Sequence, residues 1–236
     1  MSLSKLTDIR PNPSRRRYED ACGTAHAMDL VGERWALLVM RELMLGPKRF
    51  SDIRADLPGI SANVLTQRLE GLEAAGIVVR RRLDPPASGQ VYALTEWGHQ
   101  ARPIMGAMGR WATRSPGHDV SGHFSATSLM LSFQAMHSSA LSKGFTATIG
   151  VRDNRDHYFA RIADGTVDVR RGMPPAADVT FIGAPAMVAA AIYGGVPLVE
   201  LERQGELAIE GDRAVAERFI TLFPLPPKAV VPAPAH

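Results

Sequence analysis

Gly59-Ile60-Ser61-Ala62-Asn63-Val64-Leu65-Thr66-Gln67-Arg68-Leu69-Glu70-Gly71-Leu72-Glu73-Ala74-Ala75-Gly76 is the stretch on which the reading of the chain turns. Ser61 stands where a helix N-cap is needed, its hydroxyl placed to accept from the free N–H groups of the first turn. Ile60 and Leu65 occupy the flanking staple positions, and Gly76 supplies a stop. Leu65, Leu69 and Leu72 make one apolar stripe at 4,3 spacing. Asn63, Thr66, Gln67 and Glu70 fall on another face. Asn, Thr, Gln and Arg side chains can hydrogen-bond base edges or phosphates. Alone, this is an amphipathic surface helix; its neighbours give it direction.

Upstream, residues 50–57 form a short helix with Phe50, Ile53 and Leu57 at 3,4 spacing, and Pro58-Gly59 makes a tight turn. Two short helices joined by a Gly-containing turn are the pattern of a helix-turn-helix, whose second helix reads the major groove. Downstream, the period changes from helical to extended. Residues 77–83 and 90–94 read as two strands, separated by the loop Asp84-Pro85-Pro86-Ala87-Ser88-Gly89. The result is a hairpin with a basic base, Arg80-Arg81-Arg82, placed to lie along phosphates as a wing. Thr95 then caps one long helix over 96–114, with Trp97, Ile104, Met105, Met108 and Trp111 apolar; a dimer partner is the expected cover. Before the motif, residues 24–31 and 34–45 read as helices, the second central to the core, and residues 1–17 as a flexible basic arm.

The 236 residues carry 45% apolar and 22% charged side chains, the balance of a soluble globular protein. No apolar run approaches the roughly 20 residues needed to cross a bilayer, and with no apolar h-region near residue 1 no secretory signal is expected. One cysteine, Cys22, excludes an internal disulfide and fits a reducing cytoplasm. Residues 1–120 hold 17 Lys/Arg against 13 Asp/Glu, and residues 121–236 hold 10 against 11. This asymmetry suggests that only the first half meets a polyanion, although the excess is modest and on charge alone a solvated face explains it better.

Residues 18–114 resemble the HxlR-type branch of winged-helix transcriptional regulators. The matching blocks are Gly32-Glu33-Arg34-Trp35-Ala36-Leu37-Leu38-Val39-Met40-Arg41-Glu42-Leu43, Gly46-Pro47-Lys48-Arg49-Phe50-Ser51-Asp52-Ile53, Leu57-Pro58-Gly59-Ile60-Ser61, Leu65-Thr66-Gln67-Arg68-Leu69, Leu72-Glu73-Ala74-Ala75-Gly76 and Tyr92-Ala93-Leu94-Thr95-Glu96-Trp97-Gly98. The resemblance implies a homodimer on a partly palindromic double-stranded DNA site. Asn63, Thr66, Gln67 and Arg68 would contact bases and phosphates, Ser61, Lys48 and Arg49 would hold the backbone at the motif's turns, and Arg80, Arg81 and Arg82 would support the wing. Where the family often has Pro after its cysteine, this chain has Gly23. In part of that family this cysteine senses oxidants or electrophiles. A sensor needs thiolate character and exposure, to which the helix start, Arg15 to Arg17 and His26 could contribute; the alternative is a small buried filler.

Residues 115–123 read as a linker. The second half then offers a helix over 128–139, strands at 145–151, 157–162, 166–170, 178–183 and 206–210, helices at 184–193 and 213–223, a helical turn at 198–203, and a loosely held Pro-rich tail over 225–236. The expectation is an α+β fold, an antiparallel sheet covered by helices. Residues 124–224 resemble a sterol-carrier-protein-type domain, most closely at Gly205-Glu206-Leu207-Ala208-Ile209-Glu210-Gly211-Asp212-Arg213 with Phe219 and Phe223. That resemblance implies an apolar tunnel for a small hydrophobic ligand, with Leu129, Phe133, Phe159, Phe181, Met187, Ile192, Leu198, Phe219 and Phe223 as its candidate lining. The same residues could equally fill a solid core.

The seven histidines are scattered, no metal-ligand spacing occurs, and no nucleophile elbow, phosphate loop or dinucleotide fingerprint is present. No cofactor, metal or enzymatic activity is expected. The functional reading is a cytoplasmic DNA-binding regulator controlled by an apolar ligand or by oxidation of Cys22. The alternative is a carrier of hydrophobic ligands whose winged helix serves for dimerisation.

Overall fold

The computed structural model describes residues 18–82, 89–120 and 122–230. The arm over 1–17, most of the wing loop and the last six residues of the tail lie outside them. The chain divides into two compact units, Met1–Ala101 and Arg102–His236.

The first unit runs α1 (Gly23–Val31), α2 (Ala36–Leu43), α3 (Phe50–Asp56), α4 (Ala62–Ala74), β1 (Val78–Arg82), β2 (Gln90–Leu94) and α5 (Glu96–His99). α4 is the opening stretch, and it forms for the reasons legible there. Ser61 Oγ accepts from Val64 N at 3.3 Å, and Gly76 adopts φ 72°, the left-handed stop that glycine takes without a Cβ penalty. Leu65, Leu69 and Leu72 are buried. β1 and β2 pair antiparallel with Arg80 opposite Tyr92, completing the winged helix. α2 begins two residues later than expected, because Trp35 sits at φ 79°, a left-handed conformation strained for an aromatic residue.

The long helix expected over 96–114 is two helices, α5 and α6 (Arg102–Ala112). Pro103 explains the break. In a continuous helix its ring would clash with the carbonyl four residues back and leave that carbonyl without its donor; in the first turn of a new helix it costs nothing. α6 belongs to the second unit, where Arg102 Nε donates to Gln134 Oε1 at 2.9 Å and Arg110 to the Ala135 carbonyl at 3.1 Å.

The second unit continues α7 (Ala126–Met136), β3 (Ala147–Arg152), β4 (His157–Ala163), β5 (Thr166–Arg171), β6 (Val179–Gly183), α8 (Pro185–Tyr193), α9 (Leu198–Arg203), β7 (Leu207–Gly211) and α10 (Arg213–Phe219). The sheet order is β5-β4-β3-β6-β7. It is mixed, not wholly antiparallel: β6 returns beside β3 and runs parallel to it. The return is pinned where Asp178 accepts from Thr148 N at 2.7 Å through its carboxylate and donates its own N–H back to Thr148 O at 2.9 Å. Gly150 permits the close approach, since a Cβ there would lie 2.6 Å from Thr180 Oγ1.

Ala147, Ile149, Val151, Tyr158, Ala160, Ile162, Val179 and Phe181 share the inner sheet face with buried residues of α7 and α10. The segment from Pro224, expected to be loosely held, is strapped down over its described part. Lys228 Nζ donates to the carbonyls of Thr113 and Ser115, both at 3.0 Å, and Ala229 N to the Arg114 carbonyl at 2.7 Å.

Candidate nucleic-acid interface

The outward face of α4 is the centre of the candidate interface. Asn63, Thr66 and Gln67 are exposed on the side opposite the leucine stripe, free of the core and spaced to follow a groove. Ser61 is exposed at the helix entrance; its oxygen accepts from Val64 N, which leaves its O–H proton able to donate to a phosphate. On α3, Arg49 is exposed at the N-cap, with the Asp52 carboxylate accepting from its backbone N–H at 3.3 Å. Its guanidinium lies where a Cβ on Gly89 would meet it at 2.9 Å, so the turn before α3 and the base of the wing are neighbours. Arg81 and Arg82 are exposed on β1.

Three nominated basic residues have other tasks. Lys48 is only 2% exposed and is not a DNA contact; its ammonium bonds Glu42 at 2.9 Å and Asp56 at 2.6 Å. A buried lysine requires such partners, because an uncompensated charge in the interior is costly. Lys48 thereby joins α2 to α3. Its backbone exchanges two hydrogen bonds with Tyr92 of β2, at 3.0 and 2.9 Å, and so joins both helices to the wing.

Arg68 is turned back into its own unit. Its Nε donates to the Arg34 carbonyl at 2.9 Å, its other arm pairs with Glu33 at 3.0 Å, and the side chain is 18% exposed. Arg68 thus holds α4 against the segment that leads into the strained Trp35. Arg80 pairs with Glu73 at 2.9 Å and lies over the Tyr92 ring at 5.6 Å, bracing the wing against the C-terminal end of α4. Sequence reasoning did not nominate Ser51 and Arg54, both exposed on α3. The signal was available: they are the polar positions left over once Phe50, Ile53 and Leu57 are assigned inward.

A family model described as HxlR-like helix-turn-helix matches residues 30–119. The HTH-type transcriptional regulator YvaP of Bacillus subtilis is 39% identical over 87 residues, which are 37% of this chain and 81% of that protein. The chain belongs to the HxlR-like helix-turn-helix family. YodB, another HTH-type regulator of B. subtilis in this family's range of similarity, is 38% identical over 96 residues, covering 40% of this chain and 86% of its own length. The solved structure of reduced YodB is 35% identical over 42% of this chain and 100% of that one, with a TM-score of 0.38. A second model, the SCP-2 sterol transfer family, matches residues 134–224. The chain is a fusion of an HxlR-like regulator with an SCP-2 domain.

Cys22 of this HxlR-like unit is exposed, which removes the buried-filler reading. It is the N-cap of α1. Its side chain makes no capping hydrogen bond, but the nearby Thr24 N–H, then the Thr24 hydroxyl, then the Ala25 N–H favour the thiolate and hold the thiol below the ordinary cysteine range. The first turn of a helix is the source, as expected for a thiolate at a helix N-terminus. Arg15 to Arg17 lie outside the described residues.

In the SCP-2 domain, six of the nine candidate lining residues are buried: Leu129, Phe133, Phe181, Leu198, Phe219 and Phe223. Four of them are rings in mutual contact. Phe133 meets Phe219 at 5.2 Å and Phe223 at 4.9 Å between centroids, Phe219 meets Phe223 at 5.0 Å, and Phe181 meets Phe219 at 5.8 Å. These distances are those of packed aromatic pairs, so the rings fill the space between them. Phe159 is a correction: it alternates with the buried Tyr158 and Ala160 and therefore lies on the opposite sheet face. Met187 and Ile192 are partly exposed on α8. Among the described residues, no group of three His, Cys, Asp or Glu could hold a metal, and no helix is long and apolar enough to cross a membrane.

Proposed function

We propose that the chain is a cytoplasmic, non-enzymatic transcriptional regulator that binds a partly palindromic operator as a homodimer. The observation that carries the proposal is the outward face of α4, polar and exposed, in a unit of the HxlR-like family. Asn63, Thr66 and Gln67 read base edges in the major groove; Ser61 and Arg49 hold phosphates at the motif's turns; Arg81 and Arg82 bring the wing to the backbone. Lys48, Arg68 and Arg80 act behind that surface and fix its shape.

Dimerisation is supported by helices that bury none of their residues. α1 has no buried residue and exposes Met28. α6 has none either, and exposes Ile104, Met108 and Trp111 along one stripe, the last at 75%. Apolar stripes of this kind are what a second copy covers. Control of DNA binding requires a signal with different affinity for two states. The exposed, acidified Cys22 supports oxidation as one such signal, and the SCP-2 domain supports a hydrophobic ligand as another.

Sequence selection from a random duplex library followed by footprinting tests the proposal. The expected outcome is an inverted pair of half-sites about one helical turn apart. Recovery of no enriched sequence would refute it. Diamide or quinone treatment should release the wild-type protein and spare Cys22→Ser, and equal release of both would remove the sensor. Mass spectrometry of an organic extract of the purified protein should find a hydrophobic molecule if the second domain carries one.

A further inference from the structure

The face that α4 turns outward carries no cation. Asn63, Thr66, Gln67 and Glu70 recur at three- and four-residue spacing and are all exposed. Arg68 is the helix's one basic residue, and it is occupied by the Arg34 carbonyl at 2.9 Å and the Glu33 carboxylate at 3.0 Å. Among the described residues Glu70 has neither an ion pair nor a hydrogen bond. Glu73, one turn further on, is taken by Arg80 at 2.9 Å. Glu70 lies about 10 Å along the helix axis from Asn63, at 1.5 Å per residue, which is roughly three base-pair steps.

A bare carboxylate brought into the major groove is repelled by the phosphates and by every acceptor on the base edges: guanine O6 and N7, adenine N7 and thymine O4. Its favourable partner is an exocyclic amine. Adenine offers one, but its N7 acceptor sits beside that amine and would face the second carboxylate oxygen. Cytosine offers the N4 amine with a C5–H beside it, and no acceptor.

Resting on the reading of α4 as the recognition helix, we infer that Glu70 is a specificity-determining residue whose carboxylate accepts from the N4 amine of a cytosine. The rest of the face suits A·T pairs. Asn63 and Gln67 match adenine N6 and N7, and the Thr66 methyl matches the thymine methyl. Guanine, read most often by Arg or Lys, has no cationic reader on this helix. The half-site under α4 is therefore A/T-rich and closes on a C·G pair whose cytosine faces Glu70.

The test begins with the site that the full-length wild-type chain selects from random duplexes. Wild type, Glu70→Ala and Glu70→Gln are then titrated, at one salt concentration, against that site and against versions with each other base at the assigned cytosine. Wild type should disfavour replacement of the cytosine by roughly ten- to a hundredfold. Glu70→Ala should lose that preference and bind unrelated duplexes more tightly, because a negative charge has gone. Glu70→Gln should move the preference toward adenine, since Gln both donates and accepts. If Glu70→Ala keeps the wild-type preference at every position, or wild type selects guanine-rich half-strands with no cytosine dependence, the inference is overturned while the regulator reading stands. A wild-type chain that selects no sequence overturns both.

Discussion

Lys48→Met removes the charge at the centre of the winged helix while keeping an unbranched side chain of similar length. In the wild type the ammonium answers two carboxylates, Glu42 at 2.9 Å and Asp56 at 2.6 Å, and all three side chains are almost fully buried. After the substitution Glu42 retains Arg41 at 2.8 Å, but Asp56 has lost its short contact to the ammonium. Removing one member of a buried ion pair costs about 3–5 kcal/mol, because the other charge stays desolvated. At about 1.4 kcal/mol per tenfold, the opening equilibrium of the first unit rises by roughly two to three and a half orders of magnitude. Hydrogen exchange with mass spectrometry on the full chain reads this directly, as faster exchange in peptides covering α2, α3 and β2, the elements Lys48 joins. Replacing the set together, as Glu42→Met, Lys48→Met and Asp56→Leu, should recover most of the loss, because no charge is left buried. An acceleration of less than tenfold in Lys48→Met would refute the assignment of Lys48 as the buried link between helices and wing.

Arg68→Ala should lower affinity for the selected operator and leave the salt dependence of binding unchanged, because Arg68 positions α4 from behind. A slope reduced by about one would place it on a phosphate instead. Alkylation of Cys22 by iodoacetamide should reach half its maximal rate at a lower pH than alkylation of free cysteine, and Thr24→Val should move that midpoint up; an unshifted wild-type midpoint contradicts the lowering of the thiol by the helix start. His137 has its pKa lowered by burial, and its Nε2 lies 2.9 Å from Ser142 Oγ. The folded state therefore resists its protonation. This contribution is present above the ordinary value of 6.5 and is lost as pH falls from there through the lower folded value. Thermal melts between pH 7.5 and 5 should show wild type losing stability relative to His137→Gln on the acid side; a constant difference would refute the shift.

The elements legible in the sequence are those whose determinants are local. Ser61, Gly76 and the Leu65, Leu69, Leu72 stripe lie within one helix or at its ends, and they specify α4 without reference to anything distant. The positively charged residues were harder to place, because a cation's role depends on partners brought in by the fold. Lys48 looks like its neighbour Arg49 in sequence, yet one is buried between Glu42 and Asp56 and the other is exposed. Arg68 finds its partners at Glu33 and Arg34, some 34 residues upstream. Alternation in β4 distinguishes two unlike faces but not which is inward, and Phe159 lies on the face opposite the buried Tyr158 and Ala160. The parallel pairing of β3 and β6 depends on where the chain returns after β5, which no periodicity records. Pro103, by contrast, carries a local signal for a helix start that the expectation of one helix over 96–114 passes over.

On the proposed reading, α4 and the wing of this HxlR-like chain meet DNA as one surface, α4 in the groove and β1 on the backbone. Fluorescence anisotropy of the selected operator across a salt series, with wild type, Gln67→Ala and Arg81→Ala, tests it most directly. For wild type, log affinity should fall linearly with log salt. Arg81→Ala should weaken binding to operator and unrelated DNA alike and flatten the slope by about one, whereas Gln67→Ala should leave the slope intact and erode the preference for operator. Identical salt slopes and identical operator preference in all three proteins would contradict it.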